Sequence, residues 1–378
     1  MMGHNEEHLV ADGFGAVADA FHRTVPYPLR SGAALSIWLD GTPVVELCGG
    51  LADPGMGRRF HAGTLSRIFS CTKGVASVCI GMLLERGAIP SLETPVADLW
   101  PEFAAHGKDR VTIGDALAHR AGLSAPRRRL SDAELFDDLG VAEVLAAQEP
   151  LWKPGEHHQY HTITHGAITS KLAMLATGRP LGQVLAQEAA APLAADIRIG
   201  LPPSEESRLS RLLDDPEPAP AAQGDPESIA WTERALTLNG SWSPDLGDPT
   251  LIRAALAGVS GVATATGLAR VWSATVTRTM GVRLVNDTTA ELLRSPRSVG
   301  TPRFPDNSGP WQSWGAGVMI PSDWQRYLSG ASFGHDGAGG QVAFADSDAR
   351  LGFAYLTNQM GDGKRGTSII RALSRVLG

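Results

Sequence analysis

The residues best placed to do chemistry are a serine and a lysine three positions apart, Ser70 and Lys73, at the start of a helical pattern. Residues three apart on a helix share one face, with Cβ atoms about 5–6 Å apart. A serine hydroxyl is a weak nucleophile, and a lysine activates it if burial or neighbouring cations lower the lysine pKa. The free N–H groups at a helix N-terminus also favour a developing oxyanion. The spacing therefore predicts nucleophilic catalysis by Ser70.

The Ser-x-x-Lys spacing is not specific by itself. With 5 lysines and 27 serines among 378 residues, about 0.36 such spacings arise by chance. The alternative is an ordinary helix cap at Ser70 with Lys73 exposed in the first turn. A first-turn lysine opposes the helix dipole, and the preceding apolar pair at 68–69 predicts a buried approach. Both features favour the catalytic interpretation.

Further motifs follow in a fixed order along the chain. They are LAHRAGL at 117–123, WKPG at 152–155, YHT at 160–162, GVATA at 261–265 and GHDGAGG at 334–340. Together with Ser70 and Lys73 they resemble the superfamily of class C β-lactamases, DD-peptidases and family VIII carboxylesterases. That superfamily shows Ser-x-x-Lys, then a Tyr-x-Asn-type motif, then a Lys-Thr-Gly-type motif that opens a strand. The resemblance extends from about residue 31 to residue 358.

The resemblance implies a set of roles in the site. Ser70 would be acylated, and Lys73 and Tyr160 would share the proton transfers, with the choice of base between them left open. The backbone N–H groups of Ser70 and Ala338 would form the oxyanion hole. A Tyr160 phenolate would need its pKa to fall from about 10 toward neutrality, as a nearby Lys73 ammonium would favour. No cofactor and no metal are expected.

Two departures from the family pattern bear on the substrate. Thr162 stands where the Tyr motif has Asn, and the Lys-Thr-Gly position reads His335, Asp336, Gly337. In β-lactamases that lysine helps hold the carboxylate of the drug, whereas a neutral His beside an anionic Asp would bind a carboxylate poorly. The predicted substrate is a small neutral ester. His335, Asp336 and Gly337 would bind this ester or tune the site. The alternative is a β-lactam or a D-Ala-D-Ala-type peptide.

Four histidines lie in the nine-residue segment 157–165, which includes the Tyr motif. They are His157, His158, His161 and His165. Their spacings of four would suit zinc on a helix, but the segment lacks His-Glu-x-x-His and begins at the loop-forming Pro154-Gly155. The preferred interpretation is that one or two line the cleft, with His161 the best candidate to tune Tyr160.

A second serine motif, Gly-x-Ser-x-Gly at 330–334, is interpreted as a chance match. In an α/β-hydrolase an acid and then a histidine follow that serine. Here His335 is the only later histidine, no acid lies between Ser332 and His335, and extended structure follows. Ser332 is therefore not expected to be catalytic.

Tryptophans near Gly- and Pro-rich loops are candidates for the walls of an apolar substrate pocket. They are Trp242, Trp311, Trp314 and Trp324.

The elements that must position these residues form an α/β fold of the α+β type. Predicted helices cover 8–22, 70–86 (with one apolar stripe, ended by Gly87), 112–119, 131–148, 162–177 and 365–377. Predicted strands cover 33–39 and 43–47, joined by a tight turn at Asp40-Gly41, and 341–345 and 351–357. The order predicts an antiparallel sheet flanked by helices and built from both termini, with a mainly helical lobe inserted.

The predicted boundaries place 1–90 and 250–378 in the α/β lobe and 91–249 in the helical lobe. Six of the 27 residues at 202–228 are Pro and seven are acidic, which predicts an exposed insertion, with a lid as the alternative.

Composition narrows the classes of function. The net charge of -7 argues against a nucleic-acid-binding surface. No stretch approaches about 18 uninterrupted apolar residues, so no membrane span is expected. Cys48, Cys71 and Cys79 lack the spacing of a disulfide framework, and Glu6 and Glu7 stand where a signal peptide would be basic. The expectation is a cytoplasmic enzyme with a small-molecule ester as its partner and no predicted oligomeric state.

Overall fold

The structure is a computed structural model that describes residues 9–25, 30–217, 224–238, 246–305 and 309–378. The strands are β1 Leu9–Val10, β2 Gly32–Leu39, β3 Thr42–Asp53, β4 Arg58–Arg59, β5 Ser66–Arg67, β6 Ile197–Ile199, β7 Gly261–Ala263, β8 Ser313–Trp314, β9 Met319–Ile320, β10 Ser332–Gly337, β11 Gln341–Asp346 and β12 Leu351–Thr357. The α-helices are α1 Gly15–His22, α2 Cys71–Glu85, α3 Val96–Leu99, α4 Ile113–Leu117, α5 Asp132–Leu135, α6 Asp138–Ala147, α7 Thr164–Thr177, α8 Leu181–Val184, α9 Pro226–Thr237, α10 Pro249–Arg253, α11 Ala265–Val276, α12 Asp287–Arg294 and α13 Lys364–Leu377. Glu6, Glu7, Trp242 and the segment 218–223 lie outside the described residues.

The main sheet joins strands from both ends of the chain. Its order is β1-β3-β2-β12-β11-β10-β9-β8, with β4 paired to β3. The central pairings, β2 with β3, β2 with β12 and β11 with its two neighbours, are all antiparallel. This confirms the predicted fold class. The turn between β2 and β3 has φ of 48° at Asp40 and 75° at Gly41, as the Asp-Gly pair predicted.

Helix α2 begins directly after Ser70, includes Lys73 and is buried over most of its length. The predicted apolar stripe is buried, and the opposite face of the first three turns is buried as well. The helix contacts α7 and α12 as well as strand β10. Gly74 permits that approach, since a Cβ there would lie 2.9 Å from the Cβ of His335 and 2.8 Å from the Trp272 ring.

One apolar core crosses the predicted lobe boundary. It includes Trp38 and Ala354 of the sheet together with Leu145 of α6 and Leu172 of α7. The division into lobes at 90 and 250 therefore stays a prediction.

Several predicted elements end elsewhere. Leu9 pairs with Glu46 on β3, so the first helix starts only at Gly15. The predicted helix 131–148 is broken at 136–137, where Asp137 caps α6 by accepting from the Leu139 N–H. Within the described residues, no helix has both the length and the apolar character needed to cross a bilayer.

The described part of the segment 202–228 is mostly exposed or half-buried, as predicted for an insertion. Its described part contains a 3₁₀ helix at Pro203–Arg208 and the start of α9 at Pro226. Arg208 forms ion pairs with Asp196 and Glu205. These contacts hold the first third of the segment against the body of the protein.

Candidate active site

Ser70 and Lys73 lie side by side at the start of α2. The Lys73 Nζ donates to the Ser70 Oγ at 2.9 Å and to the Gly258 carbonyl oxygen at 2.6 Å. Lys73 is completely buried, whereas Ser70 is only half-buried and borders a cleft. Within the described residues the Ser70 side chain makes no capping hydrogen bond, which contradicts the simple helix-cap alternative. The Ser70 hydroxyl is thus accessible from the cleft, and the buried Lys73 amine donates a hydrogen bond to it.

Burial brings the pKa of Lys73 into the range that suits proton transfer at neutral pH. Burial lowers the pKa of Lys73 to about 7, against smaller opposing effects of Cys71 and Asp138. A lysine with this pKa is uncharged in about half of the molecules at neutral pH and can accept a proton.

Tyr160 completes a group of three from a distant loop. Its ring centroid lies 5.1 Å from the Lys73 Nζ, and Tyr160 lines the same cleft as Ser70. The ring stacks on Trp314 with centroids 5.1 Å apart and planes 7° from parallel. Burial raises the pKa of Tyr160, contrary to the fall that a phenolate would require. The pKa directions therefore favour Lys73 over Tyr160 as the base.

Strand β10 borders the other side of the cleft with the predicted His335, Asp336 and Gly337. A Cβ on Gly337 would lie 2.4 Å from the Ile68 carbonyl oxygen, so glycine is needed where the strand passes the approach to Ser70. The exposed Ala338 follows at the cleft wall. Ala338 and Ser70 thus line the same cleft, and their joint role as an oxyanion hole stays a prediction.

His335 and Asp336 differ in charge at neutral pH. Burial and the neighbouring Lys73 lower the pKa of His335 to about 3, so its imidazole is neutral. Burial raises the pKa of Asp336 to about 6, although hydrogen bonds from Gln325 Nε2 and Tyr327 Oη, both at 2.9 Å, oppose the rise. At neutral pH the site therefore holds a neutral imidazole where the family pattern has a lysine and a carboxylate where it has a threonine.

The cleft has a volume of about 630 Å³ and is open to solvent. Its walls combine the residues already described with Thr162, Leu236, Met319 and Lys364. Of the predicted wall tryptophans, Trp314 and Trp324 line it and Trp311 does not.

The tuning of Tyr160 by His161 stays a prediction, and His161 is not among the described residues that line the cleft. His161 is fully buried, with its Nδ1 2.6 Å from the Gln159 carbonyl oxygen and its Nε2 accepting from the Leu123 N–H at 3.3 Å. The imidazole beside the Tyr160 ring is that of His119, at 5.2 Å between centroids. The position of His119 within the family-like stretch 117–123 was the one available signal.

The other three histidines of the segment 157–165 do not line the cleft. His157 is exposed, whereas His158 and His165 are buried. Among the described residues, no group of three or more His, Cys, Asp or Glu side chains is arranged to hold a metal ion.

Ser332 lies inside the protein on β10. It is buried, and its Oγ donates to the Asp346 carboxylate at 2.6 Å while accepting from the N–H groups of Leu328 and Ser329. Alternate residues of a strand face opposite sides, so Ser332 faces away from His335. These contacts give Ser332 a role in the turn at 328–332.

Comparison with known proteins finds matches that cover most of this chain. The family model described as Beta-lactamase matches residues 23–376. The esterase/beta-lactamase LipL of Mycobacterium tuberculosis is 30% identical over 365 residues, which cover 92% of this chain and 81% of that protein. A crystal structure of a family VIII carboxylesterase aligns with a TM-score of 0.86 and 32% identity over 97% of this chain and 98% of its own. A penicillin-binding protein homologue from Caulobacter crescentus aligns with the same TM-score of 0.86, identity of 32% and coverage of 97% and 98%.

Proposed function

The chain belongs to the β-lactamase family, and from that premise we propose that it is a serine carboxylesterase. The match confirms the resemblance found in the motifs. The observation that supports the chemistry best is the buried Lys73 amine 2.9 Å from the Ser70 hydroxyl. The carboxylesterase with 32% identity and the esterase/beta-lactamase with 30% identity support the reaction class.

The proposed reaction runs in two halves. Ser70 Oγ attacks the ester carbonyl carbon while Lys73 accepts its proton, and the oxyanion is bound by the N–H groups of Ser70 and Ala338. The intermediate collapses, the carbon–oxygen bond to the alcohol breaks, and the alcohol leaves with a proton passed on from Lys73 through Tyr160. Water then attacks the acyl-enzyme, again giving its proton to Lys73, and the carboxylic acid leaves as Ser70 regains its proton.

The proposed substrate is a small neutral ester. A carboxylate of the substrate would meet Asp336 and a neutral His335, so an anionic substrate would be repelled there. The apolar Trp314, Trp324 and Met319 side chains at the cleft wall suit an uncharged acyl or alcohol group.

The second candidate function is a β-lactamase or D-Ala-D-Ala-type peptidase on the same three side chains. The penicillin-binding protein homologue, as similar as the carboxylesterase, favours this alternative. A chromogenic cephalosporin that is turned over faster than a short-chain nitrophenyl ester would favour it over the esterase.

The proposed function is tested by intact-mass analysis after exposure to a panel of nitrophenyl esters and a penicillin. We expect an acyl adduct that peptide mapping locates on Ser70, and a burst of nitrophenol in the first turnover. Ser70→Ala should lose both adduct and burst, whereas Ser332→Ala should keep them. Full esterase activity in Ser70→Ala with loss of activity in Ser332→Ala would contradict the assignment.

We also propose a cytoplasmic location, with a small-molecule ester and neither nucleic acid nor membrane as partner. The three cysteines are buried thiols, which suits a reducing compartment. Cell fractionation of the source organism with an antibody to the protein tests this, and recovery outside the cytoplasm would contradict it.

A further inference from the structure

A carboxylate outside the cleft is connected to the catalytic lysine through the backbone. Asp138, at the first position of α6, accepts through its Oδ2 from the Ala257 N–H and from the Ser170 hydroxyl, both at 2.8 Å. The next residue along the chain, Gly258, accepts the 2.6 Å hydrogen bond from Lys73 Nζ. Asp138 is not among the residues that line the cleft beside Ser70.

The segment that carries Gly258 has little freedom to move. Helix α7 passes so close that a Cβ on Gly166 would lie 2.1 Å from the Gly258 nitrogen. A Cβ on Gly258 would lie 2.8 Å from the Ile163 carbonyl oxygen. Asp138 bonds this segment to α6 and, through Ser170, to α7, so that its hydrogen bonds fix where the Gly258 carbonyl stands.

We infer that Asp138 is a positioning residue, which holds the 257–258 segment so that the Gly258 carbonyl keeps the Lys73 amine against Ser70. The inference rests on the proposed role of Lys73 as the base. Without Asp138 the segment loses its bond to α6, and Lys73 loses a fixed partner that aims its amine at the hydroxyl.

The charge of Asp138 also acts on Lys73. The titratable groups that interact with Lys73 are Cys71 on its own helix, Asp138 on α6, His165 on α7, His335 on β10, and His119 and Tyr160 on loops. Burial keeps the thiol, the phenol and the three imidazoles neutral, because it raises the pKa of Cys71 and Tyr160 and lowers the pKa of each histidine. Burial raises the pKa of Asp138 to about 6, so within this set Asp138 is the anion that favours protonated Lys73 at neutral pH.

The experiment compares pH profiles of nitrophenyl ester hydrolysis. Asp138→Asn keeps an acceptor for both hydrogen bonds but removes the negative charge that favours protonated Lys73. The acid limb of the profile, which is the rise of kcat/KM with increasing pH, should therefore move to lower pH. Asp138→Ala removes the hydrogen bonds as well, and its kcat should fall about 10–100-fold with little change in KM. Ser170→Ala keeps the charge and one of the two bonds, so its kcat should fall by less and its acid limb should stay.

Asp137→Asn is the matched control, because Asp137 is exposed and its carboxylate caps α6 without reaching the 257–258 segment. Its acid limb should coincide with that of the wild type. An unmoved acid limb in Asp138→Asn, an equal shift in Asp137→Asn, or wild-type kcat in both Ser170→Ala and Asp138→Ala would overturn the inference. A wild-type protein that hydrolyses none of the esters would instead contradict the proposed function.

Discussion

The Tyr160 ring lies flat on the indole of Trp314, with the centroids 5.1 Å apart and the planes within 7° of parallel. Trp314 is buried, and its strand β8 belongs to the same sheet as β10. The stacking fixes the phenol on the rigid sheet, although Tyr160 itself lies on a loop. The sheet therefore positions both Tyr160 and His335 around Ser70.

Replacing Trp314 should disturb catalysis through Tyr160. We expect Trp314→Ala to reduce kcat toward the value of Tyr160→Phe and to destabilise the protein by about 3–5 kcal/mol, since a large buried side chain is lost. Trp314→Phe, which can still stack, should reduce kcat less. Steady-state kinetics and thermal unfolding measure both effects, and equal kcat values for the Ala and Phe variants would contradict the positioning role.

The pH dependence should follow Lys73. Because burial lowers the pKa of Lys73 to about 7, kcat/KM for a neutral ester should rise with pH and level off above that value. The sign follows from the role of the base, since the protonated amine cannot accept the Ser70 proton.

Tyr160→Phe separates the two candidate bases. It should lower kcat/KM but leave the acid limb where it is, because the limb belongs to the lysine. If the limb instead vanishes in Tyr160→Phe, the tyrosine is the titrating base.

The oxyanion hole can be tested at the backbone of Ala338. Proline at this position removes the N–H, and the preceding Gly337 has φ of -122° and ψ of 155°, which a residue before proline tolerates. We expect Ala338→Pro to lower kcat about 10²–10³-fold. Ala338→Gly keeps the N–H, so it should be at least about ten-fold more active than the proline variant. Similar kcat values for the two would remove Ala338 from the hole.

Asp336 should govern the response to charged substrates. Asp336→Asn removes the negative charge and keeps one of the two oxygens that accept from Gln325 and Tyr327, so kcat/KM for an anionic penicillin should increase relative to that for a neutral ester. The ratio of the two rates in both proteins, at pH 8 where Asp336 with its pKa of about 6 is ionised, is the measurement. An unchanged ratio would mean that another group excludes anions.

Ser332→Ala should affect stability and leave activity intact. The loss of its hydroxyl removes a hydrogen bond to Asp346 and the acceptor for two backbone N–H groups, at a cost of about 1–3 kcal/mol. Chemical denaturation measures the loss. A large fall in kcat without a change in stability would count against a structural role.

The elements that depend on local pattern could be predicted from the sequence. Strand β12 and helix α13 were predicted to within one residue, because a short apolar run and helical periodicity are properties of neighbouring residues. The first helix was predicted less well, because its start depends on a partner far along the chain, Glu46, which pairs with Leu9.

The sequence by itself determined that a serine and a lysine share one face of a helix, since that geometry follows from a spacing of three. It also determined that Asp336 replaces the threonine of a Lys-Thr-Gly motif. Only the tertiary structure decided that Lys73 is buried deeply enough to lose its proton near neutrality and that His119, not His161, lies beside Tyr160. It also revealed that Asp138 reaches the loop behind the lysine. Burial and contacts between distant segments depend on how the elements pack, and no spacing within one segment encodes that packing.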